Sequence, residues 1–254
     1  MEFKGSVAIV TGGGTGIGRS VCESLARAGA AAIAVNYSQS KTEAEATVEE
    51  LRQLGCKAEA IRADISDETQ ARAMIDEFTE RHGRLDILVN NAGITRRIAF
   101  TDLDAVTQEI WDQLLAVNLL GPFYCSRAAG PALKKARGAI VNVSSISAMR
   151  AAGSSLPYGV SKAALLQLTR GMALALAPEV RVNAVAPGAV ATRWHVRLVG
   201  EERFNEMAKS EEAKSPLGQM STPDHVAQAV MGLLQSDMVT GETVIVDGGE
   251  HLLY

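Results

Sequence analysis

Short apolar runs, rich in β-branched residues, recur along the chain at Val7–Val10, Ala31–Val35, Ala58–Ile61, Ile87–Val89, Ala139–Val143, Val180–Val185 and Thr243–Val246. They are continuous rather than alternating, which is the pattern of strands buried on both faces of a parallel sheet. Helix-length segments separate them, each with its own start and stop signals. Gly16–Ala28 runs up to Gly29, a residue suited to a left-handed helix end. Ser40 and Glu43 have the spacing of a capping box and open a helix to about Leu54, which Gly55 stops. Ser66 or Asp67 opens another, closing near His82-Gly83, and a long helical region spans Glu109–Lys135. Strand and helix in regular alternation predict an α/β fold, a single doubly wound domain over residues 1–254. Its sheet has seven parallel strands with helices on both faces.

The stretch Val190–Ser221 breaks this rhythm. It is polar, partly helical and charged, with Glu201, Glu202, Arg203, Glu211 and Glu212. Ligands of open α/β sheets bind beyond the carboxyl ends of the strands, so an insertion at about 190–221 would sit over that crevice as a lid. A solvated helical pair is the competing reading.

Composition narrows the field. Of 254 residues, 47% are hydrophobic and 21% charged, a globular balance able to bury a large core. The net charge of −4 argues against nucleic acid as a partner. No apolar stretch is long enough to span a bilayer, and a strand-like run starting at Val7 leaves no signal peptide to be expected before it. Cys22, Cys56 and Cys125 are scattered and lack metal-ligand spacing, as do His82, His225 and His251; reduced thiols in the cytoplasm and no metal are expected.

Directly after the first strand comes Thr11-Gly12-Gly13-Gly14-Thr15-Gly16-Ile17-Gly18, followed by a helix. Glycines here let backbone N–H groups approach a pyrophosphate whose charge rests on the helix N-terminus, as in Rossmann folds. Gly12, Thr15, Gly16, Ile17 and Gly18 are the candidate contacts. An acid at the end of the second strand would hold the adenosine 2′-OH and repel a 2′-phosphate. The chain has Asn36-Tyr37-Ser38-Gln39-Ser40-Lys41 there instead, which favours NADP(H) over NAD(H), with Asn36, Tyr37, Ser38 and Lys41 as contacts. Lys41 also reads as an ordinary solvated residue of a first helical turn. Asp64-Ile65, past the third strand, suits the adenine edge. Asn91, Ala92 and Gly93, after the fourth, bring the chain close to a ribose, and Asn90-Asn91 can brace neighbouring strands.

Tyr158 and Lys162 stand at i and i+4, on one helical face, with Pro157 at a favoured first-turn position. A phenol with a pKa of about 10 is a poor acid at neutral pH. An ammonium and a helix N-terminus beside it are expected to lower that value, so that Tyr158 trades a proton with a carbonyl or alcohol oxygen as hydride moves. A hydroxyl from Ser144-Ser145, at the end of a strand, can hydrogen-bond the same oxygen. Asn118 is mildly unfavourable inside a helix, so it has either a function or a capping or kinking role.

Taken together, Thr11-Gly12 with Gly16 and Gly18, Asp64, Asn90-Asn91-Ala92-Gly93, Asn118, Ser145, Tyr158 with Lys162, Pro187-Gly188 and Asp247-Gly248-Gly249 resemble the short-chain dehydrogenase/reductase family over essentially the whole chain. The resemblance implies that Ser145, rather than Ser144, positions the substrate oxygen and that Tyr158 is the acid/base. It implies that Lys162 binds the nicotinamide ribose and lowers the tyrosine pKa, and that Asn118 holds a relay water. Pro187, Gly188, Val190 and Thr192 would surround the nicotinamide. It further implies a homotetramer through the last strand and the tail Glu250–Tyr254, although apolar groups there also suit a tail folded on its own subunit.

Within that family the opening Met1–Arg19, the Asn36-Tyr37-Ser38 stretch and Asn90–Arg96 are most similar to 3-oxoacyl-carrier-protein reductases. An NADPH-dependent reductase of a 3-oxoacyl thioester is therefore expected, with acyl carrier protein as a possible partner and Arg96-Arg97 or Lys134-Lys135-Arg137 as basic patches beside the cleft. One departure is Ala177–Val182, which is shorter than the family's usual turn and carries Glu179 where fatty-acid reductases carry basic residues. Trp194 and His195 are candidates to face a substrate. The alternatives are the same chemistry on a sugar, steroid or short ketone, and a cofactor-binding protein without catalysis; the intact Ser145, Tyr158 and Lys162 speak against the latter.

Overall fold

The computed structural model describes residues 1–192 and 200–253. In these, β1 (Val7–Val10), β2 (Ala32–Tyr37), β3 (Lys57–Arg62), β4 (Ile87–Asn90), β5 (Ala139–Val143), β6 (Arg181–Pro187) and β7 (Thr243–Val246) form one sheet in the order β3-β2-β1-β4-β5-β6-β7. Every neighbouring pair is parallel. The chain leaves β1 towards one edge of the sheet and returns at β4 towards the other, so the two halves part between β1 and β4. A crevice opens at such a reversal.

The side chains of the central strands meet one of two apolar layers, which is why those runs do not alternate. Ala8, Val10, Ile33 and Val35 pack under α1 (Gly16–Arg27), α2 (Lys41–Gln53) and α8 (Pro223–Gln235). Val7, Ile9, Ala32 and Ala34 pack under α3 (Glu68–His82), α5 (Gly121–Ala136) and α6 (Leu156–Leu176). α4 (Gln108–Leu115) precedes α5, and α7 (Glu201–Lys214) lies between β6 and α8. Among the described residues, no helix is long and apolar enough to cross a membrane.

The differences from expectation are local. β6 starts at Arg181 because the Val180 N–H turns back to the Leu176 carbonyl at 3.0 Å. It continues to Pro187, a residue that needs no donor at a strand end. The capping box at Ser40 does not form: its φ of −84° and ψ of 60° depart from the extended backbone of a capping serine, and its side chain makes no cap hydrogen bond. Asp67 does cap α3, accepting from Thr69 and Gln70, and Gly83 closes that helix at φ 72°. The region Glu109–Lys135 is not one regular helix, because a π turn at Ala116–Leu120 separates α4 from α5. The excursion after β6 is closed at its base by a bridge between Val190 and Ser221.

Candidate active site

The carboxyl ends of the central strands open into one groove of about 1610 Å³. Its floor at β1 is built from glycine for two separate reasons. Gly12 and Gly16 have φ of 61° and 52°, which other residues rarely adopt. Gly18 has no space: a Cβ there would lie 2.3 Å from the Gly12 carbonyl oxygen and 2.5 Å from Asn91 Nδ2. Gly14 is similarly pressed on the Ala44 backbone at 2.9 Å. Thr15 precedes α1 without a side-chain cap, and the first turn holds no acid. The leading N–H groups of α1 are thus left to an anion, and Thr15, Gly16 and Ile17 line the groove. This cradle fits a dinucleotide pyrophosphate.

At the β2 end the candidate residues divide. Tyr37, Ser38, Gln39 and Ser40 line the groove, as do Asp64 and Ile65. Asn36 also lines the groove, but it is buried and its side chain is engaged: Oδ1 accepts from Gly12 N, and Nδ2 donates to the carbonyls of Ile61 and Ala63. It holds the glycine turn onto β2 and β3. Lys41 does not line the groove; its ammonium is exposed and lies 3.6 Å from Glu45. Asp64 fixes its own loop by accepting from Ser66 N and Oγ.

The β4 end is a brace. Asn91 Nδ2 donates to the carbonyls of Thr11 and Gly12 at 2.9 and 3.0 Å, and Thr11 Oγ1 accepts from the N–H groups of Asn91 and Ala92. Asn90 Nδ2 reaches Asn142 Oδ1 on β5 and Ser126 on α5. Gly93 is bare for a reason visible beside it, since a Cβ would meet Asn118 Oδ1 at 3.2 Å and Lys162 Nζ at 3.3 Å.

Tyr158, Lys162 and Ser145 meet where β5 passes to α6. Ser155 caps α6 and Pro157 occupies its first turn, which puts Tyr158 at the helix start. Ser144 turns away and donates to the Lys162 carbonyl at 2.9 Å, while Ser145 lines the groove and its hydroxyl oxygen accepts from Ser147 N at 3.1 Å. Lys162 is 4% exposed; its Nζ donates to the Val143 carbonyl at 2.9 Å and lies 5.9 Å from the centre of the Tyr158 ring. Burial dominates both titrations. It pushes the Tyr158 phenol above its usual value, against the Ser145 hydrogen bond that draws it down, and it lowers Lys162 to about 8. The direction expected for the tyrosine is therefore reversed, because desolvation outweighs the Ser145 contribution. Asn118 sits in the π turn with its carboxamide committed to Ile94 and Ser161. At the β6 end Pro187, Gly188, Val190 and Thr192 all line the groove. Thr192 faces Gly16, where a Cβ would lie 3.3 Å from its Cγ2.

The model of a family described as enoyl-(acyl carrier protein) reductase matches residues 12–251. The chain belongs to the short-chain dehydrogenase/reductase family. A Streptomyces violaceoruber protein named as ketoacyl reductase 2 of the granaticin polyketide synthase is 42% identical over 97% of this chain and 96% of its own. A Thermotoga maritima 3-oxoacyl-[acyl-carrier-protein] reductase is 35% identical over 98% and 99%. Among solved structures, a short-chain dehydrogenase of Burkholderia cenocepacia in complex with NADP superposes with a TM-score of 0.89 at 34% identity, over 99% of this chain and all of its own.

This short-chain dehydrogenase/reductase has further groove residues that motif spacing did not single out: Arg150, Met207, Glu211, Lys214 and Glu250. Arg150 pairs with Glu250 and Lys214 with Glu211. α7, the loop at Arg150 and the C-terminal turn all line this side of the groove. Among the basic patches, Arg96 and Arg97 line the groove and are exposed. Lys134, Lys135 and Arg137 end α5 just before β5 begins, at the amino ends of the strands, opposite the groove. Trp194, His195 and Tyr254 lie outside the described residues. The three cysteines are free and buried, and burial raises Cys56 to about 11 and Cys125 to about 12. His225 serves a capping box with Thr222, and His82 and His251 meet Glu59 and Asp247.

Proposed function

We propose that the protein is an NADPH-dependent reductase of a 3-oxoacyl thioester, with Tyr158 as its general acid. At the level of class, it is an NAD(P)-dependent oxidoreductase acting on CH–OH and C=O groups. One observation supports the assignment of Tyr158 as the acid: Ser145, Tyr158 and Lys162 line one end of a groove whose other end is a glycine cradle suited to a pyrophosphate. The bound nicotinamide supplies the hydride. The Tyr158 hydroxyl gives its proton to the oxygen that becomes the alcohol, and Ser145 donates a hydrogen bond to that oxygen. A phenol raised by burial is protonated at neutral pH, which is the form reduction consumes. Lys162 holds the ribose, and Asn118 organises the loop at Ile94 with the relay water beside it. Gly12, Thr15–Gly18, Asp64, Ile65, Asn91–Gly93 and Pro187–Thr192 enclose the dinucleotide.

The preference for NADPH is supported by the groove at β2, where Tyr37, Ser38, Gln39 and Ser40 stand in place of an acid. The Lys41–Glu45 pair is exposed, so little free energy holds the ammonium away from a 2′-phosphate. The thioester reading is supported by the ketoacyl and 3-oxoacyl reductases among the relatives. Arg96 and Arg97 at the groove suit an acidic carrier domain. α7 serves as the substrate lid. Exposed Leu252 and Leu253 are assigned to a tetramer interface, and the reduced, buried cysteines to the cytoplasm.

Purified protein is assayed with NADPH and with NADH against acetoacetyl-CoA, crotonyl-CoA and a panel of ketones, with sugar and steroid alcohols in the oxidative direction. Reduction of acetoacetyl-CoA with a higher kcat/KM for NADPH is expected. Turnover of another carbonyl or of the enoyl thioester without acetoacetyl-CoA reduction overturns the substrate reading, and a preference for NADH overturns the cofactor reading.

A further inference from the structure

We infer that Ser161, the residue before Lys162, is a positioning residue that ties the Asn118 carboxamide to the Tyr158 backbone; this rests on the reading of Tyr158 as the acid. Ser161 is fully buried. Its hydroxyl has a single proton, which goes to the Tyr158 carbonyl at 2.7 Å. Towards Asn118 Nδ2, 3.0 Å away, it can therefore only accept. The second Nδ2 hydrogen goes to the Ile94 carbonyl at 3.0 Å, and Oδ1 accepts the Ile94 N–H at 2.9 Å. Reversing the carboxamide would set donor against donor at Ile94 N and acceptor against acceptor at its carbonyl, so one orientation remains.

This chain joins three separate pieces of the site: the loop after β4, the π turn and the first turn of α6. It also bears on Lys162. Asn118 Oδ1 and Lys162 Nζ abut the same bare spot at Gly93, 3.2 and 3.3 Å from where a Cβ would stand. An amide released by loss of the Ser161 acceptor presses on the ammonium and loosens the Ile94 loop. Alanine at 161 removes one buried acceptor and almost no volume, so the folded core is kept while the register of the three pieces is not.

The test compares steady-state kinetics, pH profiles and NADPH binding for Ser161→Ala, Asn118→Ala, the double variant and Tyr158→Phe, on the carbonyl substrate the wild type reduces best. Ser161→Ala is expected to lower kcat about tenfold with KM and NADPH affinity within about twofold, and to shift the alkaline limb of the profile. In the Asn118→Ala background the same change costs less than about twofold, because the residue acts through that amide. A single variant with kcat within about twofold of wild type, or an undiminished loss in the double variant, overturns the inference. Should alanine unfold the protein, Ser161→Thr and Ser161→Val decide: they share a shape and differ in the hydroxyl. Threonine active and valine impaired supports the tie, and equal kcat removes it. Near-normal turnover of Tyr158→Phe would instead strike the tyrosine reading itself.

Discussion

Replacing Gly18 with alanine puts a methyl group 2.3 Å from the Gly12 carbonyl oxygen and 2.5 Å from Asn91 Nδ2. Comfortable contact for a carbon is about 3.5–4.0 Å, so a displacement of about 1 Å or more is required. The neighbours are backbone and a committed amide rather than the free end of a side chain. Either α1 moves off the sheet or the glycine turn moves off Asn91, which donates to Thr11 and Gly12 at 2.9 and 3.0 Å. Overpacking of this kind costs about 1–3 kcal/mol. For a chain of this size that lowers Tm by about 2–12 °C. The same turn presents the first N–H groups of α1 to the pyrophosphate, and at about 1.4 kcal/mol per tenfold the dinucleotide Kd rises about 5–140-fold if the whole cost falls on binding. Gly171→Ala in α6 is the matched control, since a Cβ there meets nothing within 4 Å. It is expected to stabilise by about 0.5–1 kcal/mol through helix propensity. Tm by scanning calorimetry and NADPH titration by fluorescence measure both variants. Cofactor affinity of Gly18→Ala within about twofold of wild type would refute the argument that this turn is shaped by contact at Gly18.

Burial sets the direction of the pH response. With Tyr158 raised and Lys162 lowered to about 8, reduction uses a protonated phenol beside a charged ammonium; kcat/KM for reduction is expected to be level at neutral pH and to fall above about pH 8 as Lys162 loses its proton. Alcohol oxidation needs the phenol to accept a proton and is expected to rise with pH, so an oxidation optimum below neutrality would contradict the assignment. Arg181 closes the end of α8 by donating to the Leu233 and Leu234 carbonyls at 2.8 and 2.6 Å. Arg181→Met is expected to cost about 2–3 kcal/mol in urea unfolding with kcat unchanged, because Arg181 begins β6 at the amino ends of the strands, away from the groove at their carboxyl ends.

Much of the fold was readable because the central strands are buried on both faces, so that β1 and β5 show as unbroken apolar runs with matching ends. The glycine turn, Tyr158 with Lys162 and the Asn90–Gly93 corner were readable because each demands a residue type at a fixed spacing. What could not be read depends on neighbours distant in sequence. Asn36 sits where a cofactor contact is expected, yet its hydrogen bonds go to Gly12, Ile61 and Ala63. Lys41 points along its own helix to Glu45. Nothing local marks the π turn at Ala116–Leu120, except an Asn whose partners at Ile94 and Ser161 lie 24 and 43 residues away. Arg150 and Glu250, 100 residues apart, had no motif to join them. The direction of the tyrosine shift was missed for a related reason, since spacing places a cation and a helix end nearby but does not show the burial that raises the phenol.

The most direct measurement is single-turnover hydride transfer from bound NADPH in Tyr158→Phe, followed by nicotinamide absorbance, with cofactor affinity determined on the same preparation. The account predicts wild-type affinity for NADPH and a transfer rate lower by about 10²–10⁴-fold. Transfer at near wild-type rate with the phenol gone would contradict it.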